Sequence, residues 1–106
     1  MYFELRQYKI KPGQRDNWVK FMEEKVIPFH FSKGIVVVGS FTSPEQKDTY
    51  VWIRRFESEE QQKSYSKEVA ESEYWQKEIV PYINEWNDRS AMVVTRLEAT
   101  PKSVVQ

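Results

Sequence analysis

The chain has 106 residues, is 40% hydrophobic and 15% aromatic, and carries 16 basic and 16 acidic side chains. That length suits one soluble domain and leaves little room for a second. A net charge of zero argues against nucleic acid as a partner, because phosphate binding takes a basic excess. The absence of cysteine excludes disulfides, zinc–thiolate sites and thiol nucleophiles. The N-terminal Glu4 and Arg6 stand where a signal peptide needs an apolar run. The longest apolar stretch, Ile35 to Val38, is far too short to span a bilayer. The reading is a cytoplasmic protein without a membrane span.

Tyr2 to Lys9 alternates as a strand, with Tyr2, Glu4, Arg6 and Tyr8 on one face and Phe3, Leu5, Gln7 and Lys9 on the other. Lys11-Pro12-Gly13 ends it. Trp18, Phe21, Met22, Val26 and Phe29 then form the apolar stripe of a helix. Pro28 kinks or ends that helix, and Gly34 stops it. Ile35 to Phe41 is a β-branched strand and Thr42 to Asp48 a loop. Thr49 to Phe56 is the third strand, closing a hairpin, with Tyr50, Trp52, Arg54 and Phe56 opposite Val51, Ile53 and Arg55. Ser58-Glu59-Glu60-Gln61 reads as a capping box opening a polar helix. A second helical segment begins near Ser72 with the stripe Trp75, Ile79, Tyr82, Ile83 and Trp86, interrupted at Pro81. Asn87-Asp88 reads as a turn, Ala91 to Leu97 as the last strand, and Thr100 to Gln106 as a flexible tail after a domain spanning 1–99. No repeat stands out.

The order βαββαβ predicts an α+β, ferredoxin-like fold with a four-stranded antiparallel sheet and helices on one face. By apolar content, the helices are expected over Phe3, Leu5, Val51 and Ile53. That leaves Tyr2, Tyr8, Tyr50, Trp52 and Phe56 on the opposite face, with Glu4, Arg6 and Arg54. Burying a large aromatic is worth ~1.5–3 kcal/mol, so a second copy is expected to cover them. Glu4, Arg6, Tyr8, Tyr50 and Arg54 are thereby assigned to a homodimer interface.

Glu4-Leu5-Arg6-Gln7-Tyr8 followed by Lys11-Pro12-Gly13, the strand Tyr50-Val51-Trp52-Ile53-Arg54-Arg55-Phe56, and Ser72-Glu73-Tyr74-Trp75 together resemble the NIPSNAP family, from Tyr2 to about Leu97. The resemblance implies the dimeric α+β barrel fold. Relatives in that superfamily include cofactor-free monooxygenases, haem-degrading enzymes, lactone isomerases and small stress proteins, with a pocket between sheet and helices. Glu60 and Gln61 stand where such sequences often carry an Arg.

His30 is the only histidine. It is the candidate general base, or a haem ligand; a histidine at a helix end also simply bonds a carbonyl. Trp18 and Trp52, with Tyr65 and Tyr82, are the candidate lining of a pocket for a flat hydrophobic or aromatic molecule, although core packing explains the tryptophans as well. Arg6, Glu4 and Arg54 fit either an anion site or a structural ion-pair network. No metal site is read, and no phosphate loop or Ser-His-Asp set is present. The functional expectation is a cofactor-independent monooxygenase or isomerase acting on a small hydrophobic or aromatic substrate. Its alternative is a non-catalytic ligand-binding, haem-binding or stress-response module.

Overall fold

The computed structural model describes residues 1–106. Alternation in Tyr2–Ile10 forms β1, and in Thr49–Phe56 it forms β3. The two pair antiparallel with Tyr2 opposite Phe56, Glu4 opposite Arg54 and Tyr8 opposite Tyr50. Val36–Thr42 forms β2 and Asn87–Leu97 forms β4, giving the antiparallel order β2-β3-β1-β4. This is the expected ferredoxin-like α+β arrangement. No helix is long and apolar enough to cross a membrane.

Two helical arms cover one face of the sheet. The first runs through α1 (Arg15–Phe21), a π-helical turn at Met22–Val26 and α2 (Ile27–Ser32). The second follows α3 (Glu59–Glu71), through a π-helical turn at Trp75–Ile79 into α4 (Val80–Trp86). Each π turn closes just before a proline: Ile27 N–H donates to Met22 O, and Val80 N–H donates to Trp75 O. Proline lacks an N–H and its ring crowds the carbonyl four residues back. A widened turn absorbs that conflict and lets the helix continue. Pro28 and Pro81 therefore neither end nor sharply break their arms. Val26-Ile27-Pro28-Phe29 and Ile79-Val80-Pro81-Tyr82 are the same pattern, used once per arm. Ser58 caps α3 by accepting from Gln61 N–H at 3.1 Å. The Gln61 side chain reaches back to Glu57 N–H at 2.7 Å, one residue earlier than a capping box requires.

The strand faces alternate as expected, but the covered face is the opposite one. Tyr2, Tyr8, Ile10, Tyr50, Trp52 and Phe56 pack under the helices with Trp18, Phe21, Met22 and Ile79. Glu4, Arg6, Tyr8, Tyr50 and Arg54 thus lie on the helix side and are not on a face open to a second copy. Burial of these charges is tolerated because the Glu4 carboxylate pairs with both Arg54 and Arg6 within the layer. The aromatic rings then supply the volume needed to fill the space under the arms.

The outer sheet face carries Leu5, Val51 and Ile53, with Phe41 and Val93 more than half exposed at 52% and 53%. Asn87 belongs to β4 rather than to a turn, pairing with Ile10. The register then jumps between Lys9↔Asp88 and Gln7↔Val93, so 89–92 bulge from the strand. The C-terminal segment makes a turn, Ser103 N–H to Thr100 O at 3.0 Å, and Arg55 Nη1 donates to Gln106 O at 3.2 Å. Beside it lies an apolar groove of about 370 Å³ lined by Phe3, Phe41, Ile53, Leu97 and Val105 among others.

Candidate functional site

Strand register sets the site. Because Glu4 and Arg54 are direct cross-strand partners, Arg54 Nη2 meets Glu4 Oε1 at 2.5 Å. Arg6, two residues along the same face, places Nε 2.5 Å from the same oxygen. Gln62 of α3 donates to Glu4 Oε2 at 3.0 Å, and Tyr2 Oη–H donates to Gln62 Oε1. Burial pushes the Glu4 carboxyl up, but Arg54 and Arg6 outweigh it and its pKa is lowered.

His30 completes this network from α2. It is fully buried. Its Nδ1 lies 2.9 Å from Val26 O, and a carbonyl only accepts, so Nδ1 carries the proton. Nε2 is then the acceptor, and Arg54 Nη1 donates to it at 3.2 Å. Tyr65 Oη lies 3.1 Å from Nε2 as well. Trp52 packs edge-on at 4.9 Å between ring centroids. Burial, with help from the Arg54 charge, lowers the His30 pKa from 6.5 to about 3. Burial raises the Tyr65 pKa. The ring is a neutral hub that fixes Arg54, and its only basic nitrogen is already engaged.

Beside this network lies a cavity of about 130 Å³ between sheet and helices. Trp18, His30, Trp52 and Arg54 line it together with Met22, Val26 and Trp75 of the π turns. Arg6, Asn87, Arg89 and Met92 line it from the strands. Trp18 sits edge-on to Tyr8 at 5.7 Å, and Tyr8 accepts from Trp52 Nε1 at 2.9 Å.

Of the predicted lining, Trp18 and Trp52 reach this cavity. Tyr65 touches His30 behind it. Tyr82 does not line it: it stacks between Phe21 and Trp86, at 5.5 and 5.2 Å, on the outer side of the helical arms. The shared stripe placed Tyr82 on the apolar face of α4, yet that face is wide enough to meet α1 as well as the sheet. Asn87, Arg89 and Met92 were not foreseen. They reach the cavity through the start and bulge of β4, which carry no periodic signal.

Haem does not fit these residues. Both His30 nitrogens are engaged, and the cavity of about 130 Å³ is well below the roughly 300–1,000 Å³ of larger ligand pockets. No group of His, Cys, Asp and Glu side chains is arranged to hold a metal ion.

The fold recurs in solved structures. A NIPSNAP family protein from Agrobacterium tumefaciens superposes with a TM-score of 0.86 at 18% identity, covering 99% of this chain and 98% of the other. A second Agrobacterium tumefaciens protein, described as a NIPSNAP family protein with unknown function, gives 0.87 at 20% identity, covering 100% and 94%. An antibiotic biosynthesis monooxygenase gives 0.68 at 18% identity, covering 95% and 100%. At these identities the likeness is one of fold. No curated protein matches the chain in sequence. The sequence profile of NIPSNAP matches residues 3–103, nearly the whole chain, and the protein therefore belongs to the NIPSNAP family.

Proposed function

We propose that the protein binds a small hydrophobic or aromatic molecule in the cavity between sheet and helices and acts on it as a cofactor-independent monooxygenase or isomerase. The carrying observation is the cavity itself, where aromatic walls meet the guanidinium groups of Arg6, Arg54 and Arg89. Oxygenation without a cofactor and proton-shift isomerisation both pass through electron-rich, oxygen-stabilised anions. A cationic lining favours such anions. The fold shared with the monooxygenase supports the reading by analogy. Within it, His30 positions Arg54 rather than taking a proton, so a phenolic substrate enters already ionised, its proton left in solvent, and a proton-shift isomerisation draws on water as base.

We further infer a homodimer formed through the outer sheet face. The apolar row of Leu5, Val51, Ile53, Phe41 and Val93 is of the kind that marks an interface. Self-pairing of one face by a two-fold axis is the commonest way to cover it.

The test is oxygen uptake and product analysis with a panel of single-ring phenols and enolisable ketones. Uptake or isomerised product that falls in Arg54→Met supports the enzyme. Saturable binding with no conversion across the panel instead supports a non-catalytic binding module. One observation favours that second reading: the only histidine has no free basic nitrogen.

A further inference from the structure

Buried polar groups in folded proteins almost always have partners, and each exception asks for an explanation. Four buried side-chain atoms here have none. One, Arg55 Nε, belongs to the outer face. The other three are Trp18 Nε1, Arg54 Nε and Asn87 Oδ1. They come from different elements, α1, β3 and β4, yet their residues line the same cavity. Each residue is more than nine-tenths buried, at 1%, 8% and 5% exposure. Chance misfits would be scattered. Convergence on one cavity is the mark of a ligand site.

The charges around these atoms define what fills it. The cavity is lined by Arg6, Arg54 and Arg89 and by no carboxylate. The one acid in the network, Glu4, turns its oxygens to Arg6, Arg54 and Gln62. Two positive charges therefore remain in excess. An indole N–H and guanidinium groups among the lining residues suit an anionic oxygen. Asn87 adds one acceptor for an O–H or N–H. Size sets the rest: a cavity of ~150 Å³ holds one bare benzene ring, so at about 130 Å³ this one takes at most one ring, with its substituents reaching toward the exposed Arg89. Trp18, Trp52 and Trp75 supply flat walls.

We propose that the site takes a single-ring aromatic anion, its charge met by Arg6, Arg54 and Arg89 and its binding felt at the Trp18 indole N–H in the wall. This rests on the reading of the cavity as a ligand site and narrows it to a substrate class. A carboxylate and a phenolate share the required chemistry.

The experiment follows the indole N–H resonances of the full-length protein by two-dimensional NMR, with Trp18 assigned through Trp18→Phe. The probes are benzoate, 4-nitrophenolate, neutral benzamide and acetate. Benzoate or 4-nitrophenolate is expected to move the Trp18 resonance saturably, and the better of the two identifies the charged group. Benzamide and acetate are expected to bind at least about tenfold more weakly. Losing one hydrogen bond to a charged group costs about tenfold in affinity or more, so Trp18→Phe is expected to weaken the anion by that factor. Arg89 is exposed, so Arg89→Ala keeps the fold. It is expected to weaken the anion several-fold and leave benzamide unchanged. Benzamide binding as well as benzoate, or a Trp18 resonance that no probe moves, overturns the proposal. Conversion of a neutral ring would do so while leaving the enzyme reading intact. Anion binding without turnover would do the reverse.

Discussion

Acid sensitivity tests the neutral, buried His30 most directly. Its pKa is about 3 in the folded chain against 6.5 when unperturbed. Above about pH 7.5 both states hold a neutral ring and the group contributes almost no pH dependence. As pH falls below that value the unfolded chain takes up a proton that the folded chain refuses, so stability is lost. The slope is about 1.4 kcal/mol per pH unit. Between about pH 7.5 and pH 5 the loss integrates to about 2 kcal/mol. That window lies above the 4.5 at which an unperturbed Glu4 titrates, so the two effects separate. Urea unfolding followed by tryptophan fluorescence measures it. His30→Asn retains a donor for Val26 O but lacks a titrating ring. The variant is expected to be less stable throughout, by about 2–4 kcal/mol for the truncated ring and the lost Arg54 bond, and flat across the same window. Equal slopes in the two proteins would refute the account of His30.

Glu4→Gln strips Arg54 and Arg6 of their shared carboxylate and is expected to cost roughly 3 kcal/mol by denaturant titration. Its complementary signature is that acid destabilisation below about pH 4.5 becomes shallower, because the lowered Glu4 pKa contributes stability that is lost as pH falls. Ser58→Ala removes the α3 cap and should lower stability by about 1 kcal/mol in the same assay. Phe41→Glu puts a charge on the outer face and is expected to convert a dimer to a monomer by light scattering; a monomeric wild-type protein would remove the dimer proposal. Haem titration is expected to leave the Soret band at its free position, and a shifted band lost in His30→Ala would contradict the geometry described for that ring.

Much of the architecture was legible because it is written in period-two and period-three-to-four signals. Thr49 to Phe56 alternates cleanly and is a strand over that whole span. Ser58 announces α3, and Ser72, the predicted boundary, accepts from Trp75 N–H at 3.1 Å. Alternation sorted the side chains of β1 and β3 into the right two sets. It could not say which set lies inside. Apolar content favours Phe3, Leu5, Val51 and Ile53 for the helix side and leaves the face of Glu4, Arg6 and Arg54 to a second copy. The register sets Glu4 opposite Arg54, and the helical arms, not a second copy, cover the ion-paired face. The site was legible in part for the same reason. Trp18, Trp52 and His30 sit on regular elements whose inward faces can be read. Asn87 looked like a turn residue, and its role depends on an irregular strand with no pattern to read. Pro28 and Pro81 signalled a disturbance, but a local widening and a helix end carry the same letters.

The π turns before Pro28 and Pro81 limit how this chain can change in length. Each holds one residue more than an α-helical path would need. Deleting that residue would let the arm close as a regular α-helix with everything downstream still in phase, but it would also remove the widening before the proline. The ring of Pro28 or Pro81 would then crowd the carbonyl four residues back. A one-residue deletion is therefore expected to cost stability through a kink at the proline, and replacing that proline in the same variant is expected to restore it.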